Sequence, residues 1–140
     1  MKQLTSILLA LTLLVAVAVP AFAAAPETVS PLYINTSQAG ISMTISTDGS
    51  VSISLSCIGL SSATNIDATV YLERKVGTSW VRVDTGTDDN TWKVSSSNRF
   101  LIQSLSHEVT VKGEYKATVI YTVHGKVEDE TLTFYDTRTF

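Results

Sequence analysis

The sequence predicts an all-β, antiparallel sandwich of seven to nine strands behind a cleaved signal peptide. Val51, Ile53, Leu55 and Cys57 alternate with Ser50, Ser52, Ser54 and Ser56, a period of two that a helix would smear over every face. Similar alternation recurs along the chain, β-branched residues are abundant in it, and no segment has a convincing helical period. Asp48-Gly49 and Gly77-Thr78-Ser79 punctuate the runs as turns. Short strands separated by turn signals read as a sandwich, with a small closed barrel as the alternative.

The first 23 residues stand apart from this pattern. Lys2 gives a positive start, residues 4–19 are almost continuously apolar, and Ala21-Phe22-Ala23 puts small residues at −3 and −1 of a cleavage point after Ala23. The apolar run falls short of the ~20 residues of a spanning helix, and Pro20 follows it. No Cys stands near the cleavage point, and residues 136–140 carry neither an apolar tail nor a sorting motif. The expected product is secreted, with no membrane attachment after cleavage. Processing removes only Lys2 from the charged set, moving the formal net charge from −3 to −4. Such an acidic chain is a poor partner for nucleic acid or anionic lipid. Cys57 is the only cysteine, so no intramolecular disulfide can form and the core alone must hold the fold.

Residues 24–40 read as an extended leader rich in Pro, Ser, Thr and Gln, with Leu32-Tyr33-Ile34 as a first edge strand, and the sandwich is expected over residues 41–140. Ile41, Met43 and Ile45 alternate with Ser42, Thr44 and Ser46, and Asp48-Gly49 should turn this run tightly into the serine-rich one. Ile66, Ala68, Val70 and Leu72 form the inner face of the next strand. Trp80-Val81-Arg82-Val83 follows the turn at Gly77, and Trp92 and Val94 mark a short strand after the polar loop 85–90. Residues 100–111 are a less regular strand. Tyr115, Ala117, Val119, Tyr121 and Val123 point inward on another, and the last strand turns Leu132 and Phe134 inward.

Two of these runs resemble landmarks of the immunoglobulin fold. The run 51–57 resembles strand B, which ends in a buried Cys, and Gly113-Glu114-Tyr115-Lys116-Ala117 resembles the tyrosine corner that opens strand F, where a second Cys follows the Tyr by two residues. Ala117 occupies that second position, and Val70 or Leu72 stands where strand C carries its Trp. The resemblance implies an immunoglobulin-like sandwich in which Cys57 is a buried free thiol facing Ala117. The chain is also similar to small secreted proteins of Gram-positive, mainly gut-dwelling bacteria. That similarity is carried by the lone Cys closing a Ser-rich strand, the segment 66–75, the hairpin Gly77-Thr78-Ser79-Trp80 and the strand start Gly113-Glu114-Tyr115. It implies a secreted β-sandwich and no assigned activity.

Catalytic signals are weak. His107, Glu108, His124 and the trio Glu128, Asp129, Glu130 lack metal-ligand spacing, and the trio reads as solvated loop charge. No G-x-S-x-G elbow or Gly-rich phosphate loop is present. Every strand Lys, Lys116 most clearly, falls on the outward register, away from an internal isopeptide bond. The expectation is a non-enzymatic module without cofactor or metal, binding an extracellular protein or glycan or associating with itself. Three surfaces compete for that role. From Pro31 to Ile66 the only charged residue is Asp48, so strands from that stretch would present an uncharged hydroxyl face if they share a sheet with residues 100–111. Tyr71, Ile120 and Tyr135 should point outward side by side on the other sheet, bordered by Glu73 and Lys116. Trp80 and Trp92 flank the loop 85–90, where a sugar could stack or the two rings could simply cover the sandwich edge. A small secreted hydrolase is the remaining alternative and would need His107 or His124 gathered with a carboxylate in a cleft.

Overall fold

The computed structural model describes residues 33–140; the expected signal peptide and the leader up to residue 32 lie outside the described residues. Eight strands follow in chain order: β1 (Thr36–Ile45), β2 (Ser50–Gly59), β3 (Ala63–Val76), β4 (Ser79–Arg82), β5 (Trp92–Ser96), β6 (Phe100–Glu108), β7 (Glu114–Gly125) and β8 (Glu130–Thr139). The first strand thus begins at Thr36, inside the segment read as leader; Tyr33 and Ile34 of the expected edge strand Leu32-Tyr33-Ile34 precede it and are not strand. All pairings are antiparallel, in two sheets: β1-β2-β6, and β4-β3-β7-β8 with β5 also on β3. β4 and β5 share one edge of β3, β5 along Ile66–Val70 and β4 along Glu73–Val76. This is the partition of an immunoglobulin-like sandwich, with β5 drawn onto the β3 sheet.

The β1–β2 turn is wider than the tight turn expected from Asp48-Gly49. Gly49 N–H donates to Ser46 O (3.0 Å), Ser46 N–H donates to Ser50 O (3.0 Å), and only Gly49 takes positive φ, at 91°. A turn over residues 46–49 therefore closes into a glycine bulge. A Cβ at Gly49 would strike the Val109 carbonyl, so the position needs glycine for space as well as for φ.

Period two decides what is buried. Val51, Ile53, Leu55 and Cys57 from β2 meet Ile66, Ala68, Val70 and Leu72 from β3 and Tyr115, Ala117, Val119, Tyr121 and Val123 from β7 in one core. Buried polar tips find partners. Tyr115 Oη donates to Val111 O (2.6 Å), which is the tyrosine corner, and Tyr121 Oη crosses the core to Gly40 O (2.8 Å).

Cys57 is buried and free, but it does not face Ala117. β2 and β7 run in the same direction across the core, and both ends are pinned. Gly49 abuts Phe140, which exchanges backbone hydrogen bonds with Gly113; Gly59 abuts Ala63, which pairs with Gly125. Counted from those ends, Ala117 lies level with Ile53, whereas Cys57 lies level with Tyr121 and Val123. Burial raises the Tyr121 hydroxyl pKa first, and the Cys57 thiol adds to it. By that count Cys57 lies about two β-periods beyond the level of Ala117.

Two inward carboxylates on β8 close the sandwich edge beside β1. Glu130, buried, accepts hydrogen bonds from Ile34 N–H (2.9 Å), Asn35 N–H (3.1 Å) and Thr36 Oγ1 (2.7 Å). Asp136 Oδ2 accepts from Met43 N–H (2.8 Å). Asn35 Nδ2 donates to Glu128 O (2.8 Å), and its side chain fills the space over Gly125, where a Cβ would collide with it. The start of β1 is thus clamped by the β7–β8 loop.

Three outcomes follow. Glu130→Ala leaves three donors without their carboxylate and should cost about 2–3 kcal/mol in denaturant unfolding, with faster amide exchange at Ile34 and Asn35. Unchanged exchange there would show that the clamp does not hold the strand. Burial, with Glu130 adding to it, pushes the Cys57 thiol pKa up to about 11, so thiol reagents should label the folded protein only through unfolding. Ala117→Cys should form no bridge to Cys57, and formation of one under mild oxidation would overturn the register given above.

Candidate binding face

The outer face of the β1-β2-β6 sheet is a grid set by strand register. Its rows are Thr44–Ser52–Ser106, Ser42–Ser54–Ser104, Gly40–Ser56–Ile102 and Gln38–Ile58–Phe100. Each β2 serine is exposed or half-buried because its neighbours on the strand are in the core. None of the grid positions carries an ionisable group. Among the described residues, the hydroxyls of Ser42, Thr44, Ser52, Ser54, Ser104 and Ser106 make no hydrogen bond to the protein, so each offers a donor and an acceptor to a partner. An open depression of about 630 Å³ lies at the Ser50 end of the sheet, lined by Thr44, Ser52 and Ser106 of the outer row and by Ile45, Val51 and His107 of the inward one. The far end of the grid is apolar: Ile102 is 74% exposed and Phe100 47%. That apolar end was not singled out from the sequence, although Phe100 and Ile102 share the register of Ser104 and Ser106.

The opposite outer face is organised differently. Tyr71 and Tyr135 flank Thr118 in one row and bury it, and Ile120 lies between Thr69 and Thr133 in the next. The three residues therefore share one face on adjacent strands. The Arg82 guanidinium stacks 3.7 Å from the Tyr71 ring centroid, and Lys116 pairs with Glu73 (2.9 Å) while lying 4.5 Å from the centroid of Trp80. Only Tyr135, 69% exposed, is left largely open. Trp80 and Trp92 are not partners. Trp80 stands opposite Lys75 on the outward register, whereas Trp92 stands opposite Val70 on the inward one and meets His107 edge-on, with ring centroids 5.7 Å apart. One sugar could not stack on both.

The histidines are separated as well. His107 sits on β6 and His124 on β7, in different sheets. His124 Nε2 lies 2.9 Å from Asp67 Oδ2 and Nδ1 2.9 Å from Asp129 Oδ2. Both ring nitrogens are thereby engaged by carboxylates and neither faces a hydroxyl it could activate. Asp129 also accepts from Gly125 N–H (3.3 Å), so this bridge fastens the β7–β8 loop to the sheet. Glu128, Asp129 and Glu130 do not converge: Asp129 faces His124 and Glu130 faces β1. No group of three or more His, Cys, Asp or Glu suited to a metal occurs among the described residues.

The bridge fixes a pH dependence. The hydrogen bond to Asp67 is the largest cause raising the His124 pKa above its ordinary 6.5, and Asp129 adds to it. A raised folded-state pKa gives stability that is complete below the ordinary value and fades as pH climbs through the folded one. Between about pH 6 and about pH 8.5, melting temperature should fall more in the wild type than in His124→Gln, and parallel curves would rule the bridge out as a stabilising element.

No family model, curated protein or solved structure matches the chain.

Proposed function

We propose that this chain is a secreted, non-catalytic binding or structural module that engages an extracellular protein or glycan through the outer face of its β1-β2-β6 sheet. One observation carries the reading: the face is a regular array without an ionised group, whose hydroxyls have no partner within the described fold. Hydroxyls cost far less to desolvate than charges and re-form their hydrogen bonds in either sense with a partner. The exposed Phe100 and Ile102 at one end add apolar contact area. The opposite face favours a partner less, because Arg82 covers Tyr71 and Lys116 covers Trp80. A hydrolase reading is disfavoured by the engagement of both His124 ring nitrogens with carboxylates.

The test is a glycan and peptide array with a pull-down from the native environment, using wild type, Ser52→Lys/Ser54→Lys and Tyr71→Ala/Tyr135→Ala. Exposed Ser→Lys changes should move stability within about 0.5 kcal/mol. Binding should fall on the order of tenfold or more in the lysine variant and persist in the alanine one. Persistence in the lysine variant with loss in the alanine variant would transfer the contact to the Tyr71–Ile120–Tyr135 face.

A further inference from the structure

The outer grid ends at β6, and β6 has a second surface, its free edge. We propose that β6 pairs antiparallel with β6 of a second copy of this chain, joining two three-stranded sheets into one continuous sheet. The inference concerns the same sheet as the proposed binding face and rests on that reading only for the sheet's lack of charge.

Strand edges with unpaired N–H and C=O groups invite pairing unless they are blunted. The other edges of this sandwich are. β1 slips register between Thr36 and Gln38, and its Met43 N–H is taken by Asp136. β4 is four residues long, and β5 is five residues long with Lys93 within it. β8 carries Glu130, Asp136 and Arg138. β6 has none of these devices along Phe100–Ser106, its only charged residue being the terminal Glu108. It runs nine residues, Phe100–Glu108, in unbroken register with β2, without Pro or Gly and without an acid or base before His107.

The direction of its backbone groups is fixed at both ends. Gly59 N–H donates to Arg99 O (2.7 Å) and Val109 N–H donates to Gly49 O (2.9 Å). Odd-numbered residues of β6 therefore face β2, and the N–H and C=O groups of Ile102, Ser104 and Ser106 face outward from the sheet. Phe100, of the same parity, is satisfied locally: its N–H donates to Asn98 Oδ1 (2.8 Å), and its C=O accepts from Ser96 Oγ (2.7 Å). Among the described residues, the one side chain reaching the three open positions is Gln103, whose Nε2 lies 3.4 Å from Ser104 O.

Self-pairing about Ser104 uses the whole strand. Ser104 meets its own copy, Ile102 meets Ser106, and Phe100 meets Glu108, giving about six inter-strand hydrogen bonds across the open positions. The charges agree with this register. The Arg99 guanidinium already lies over the Phe100 ring, 4.9 Å from its centroid. Glu108 of the second copy would stand opposite Phe100 and so beside Arg99, twice by symmetry. No like charges are opposed. The joined sheet would carry two hydroxyl grids side by side.

Sedimentation equilibrium and light scattering on the chain from Ala24 onward, the expected processed form, test this. Wild type should form a reversible dimer. Ser104→Pro removes an N–H that faces the free edge and not β2, so it should leave the melting temperature nearly unchanged and abolish the dimer. Should that variant fold poorly, charge exchange decides: Arg99→Glu should raise the dimer dissociation constant on the order of tenfold, and Arg99→Glu/Glu108→Arg should restore it. Ser54→Lys, on the grid but off the edge, should leave the dimer intact, which separates this inference from the face-binding reading. A wild type that stays monomeric at its highest soluble concentration overturns the proposal. So does a dimer that survives both Ser104→Pro and Arg99→Glu.

Discussion

The register of β2 is the constraint on which the rest of the molecule depends. One residue of slip would expose Val51, Ile53, Leu55 and Cys57, each 2% exposed or less, and bury the serines between them. Burying each Val, Ile or Leu is worth about 1.5–3 kcal/mol. The three aliphatic residues alone therefore approach the ~5–15 kcal/mol that holds a whole domain together, before any penalty for dehydrating hydroxyls. These figures are upper bounds, because unfolded chains already hide some apolar surface. The hydroxyl face and the buried core are thus one fact seen from two sides: whatever fixes Ile53 inward fixes Ser52 and Ser54 outward, in line with Thr44, Ser42, Ser104 and Ser106.

Without a disulfide, the alignment of one sheet over the other must come from other contacts. Apolar packing sets the separation but tolerates sliding, whereas directed hydrogen bonds do not. Five of them, from four side chains, bracket the sandwich. Tyr115 closes its corner on Val111 near one end, Tyr121 spans the core to Gly40, Asp136 holds Met43, and Glu130 holds the backbone at Ile34 and Asn35. A neutral bond of this kind contributes about 1 kcal/mol net, and one to a carboxylate about 1.5–3. Together they exceed the ~2–4 kcal/mol of a typical disulfide. They act on the native alignment instead of on the entropy of the unfolded chain.

Much of this was legible from alternation alone, because alternation is burial read along one strand. The strand set, the inward stripes of β2, β3 and β7, and the co-location of Tyr71, Ile120 and Tyr135 all follow from local period. What failed was inference between strands. The immunoglobulin resemblance pairs Cys57 with Ala117, but the level of one strand over another depends on where the turns pin each end, here Gly49 against Phe140 and Gly59 against Ala63. Trp80 and Trp92 are neighbours of one loop in sequence, and opposite parity on the sheet sends them to opposite faces. Glu130 was read as solvated loop charge, yet a signal existed: Glu130, Leu132, Phe134 and Asp136 share one parity, which makes both carboxylates inward residues of β8. The parity alone does not decide, because an inward acid is expensive unless donors await it, and the donors lie far away in sequence, at Ile34, Asn35, Thr36 and Met43.

The two outer faces differ in a way that stability does not require. On the β3–β7 sheet the charged and aromatic groups satisfy one another: Lys116 with Glu73, Lys75 with Glu114, Arg82 over Tyr71. Exposed pairs of this sort add little to folding, but they close the surface on itself, since a partner would have to break them before making new contacts. The β1-β2-β6 sheet has no such pairs on its grid. Its hydroxyls are exposed or half-buried without protein partners and its apolar end is uncovered, so the water displaced by a partner is the main thing to be exchanged. Lys or Glu at Ser52, Ser54 or Ser104 would fit the exposed positions equally well and would serve solubility better. The charge-free condition therefore follows neither from the core nor from the turns. It is the property of this molecule for which the fold supplies no reason, and recognition through the face and edge of that sheet supplies one.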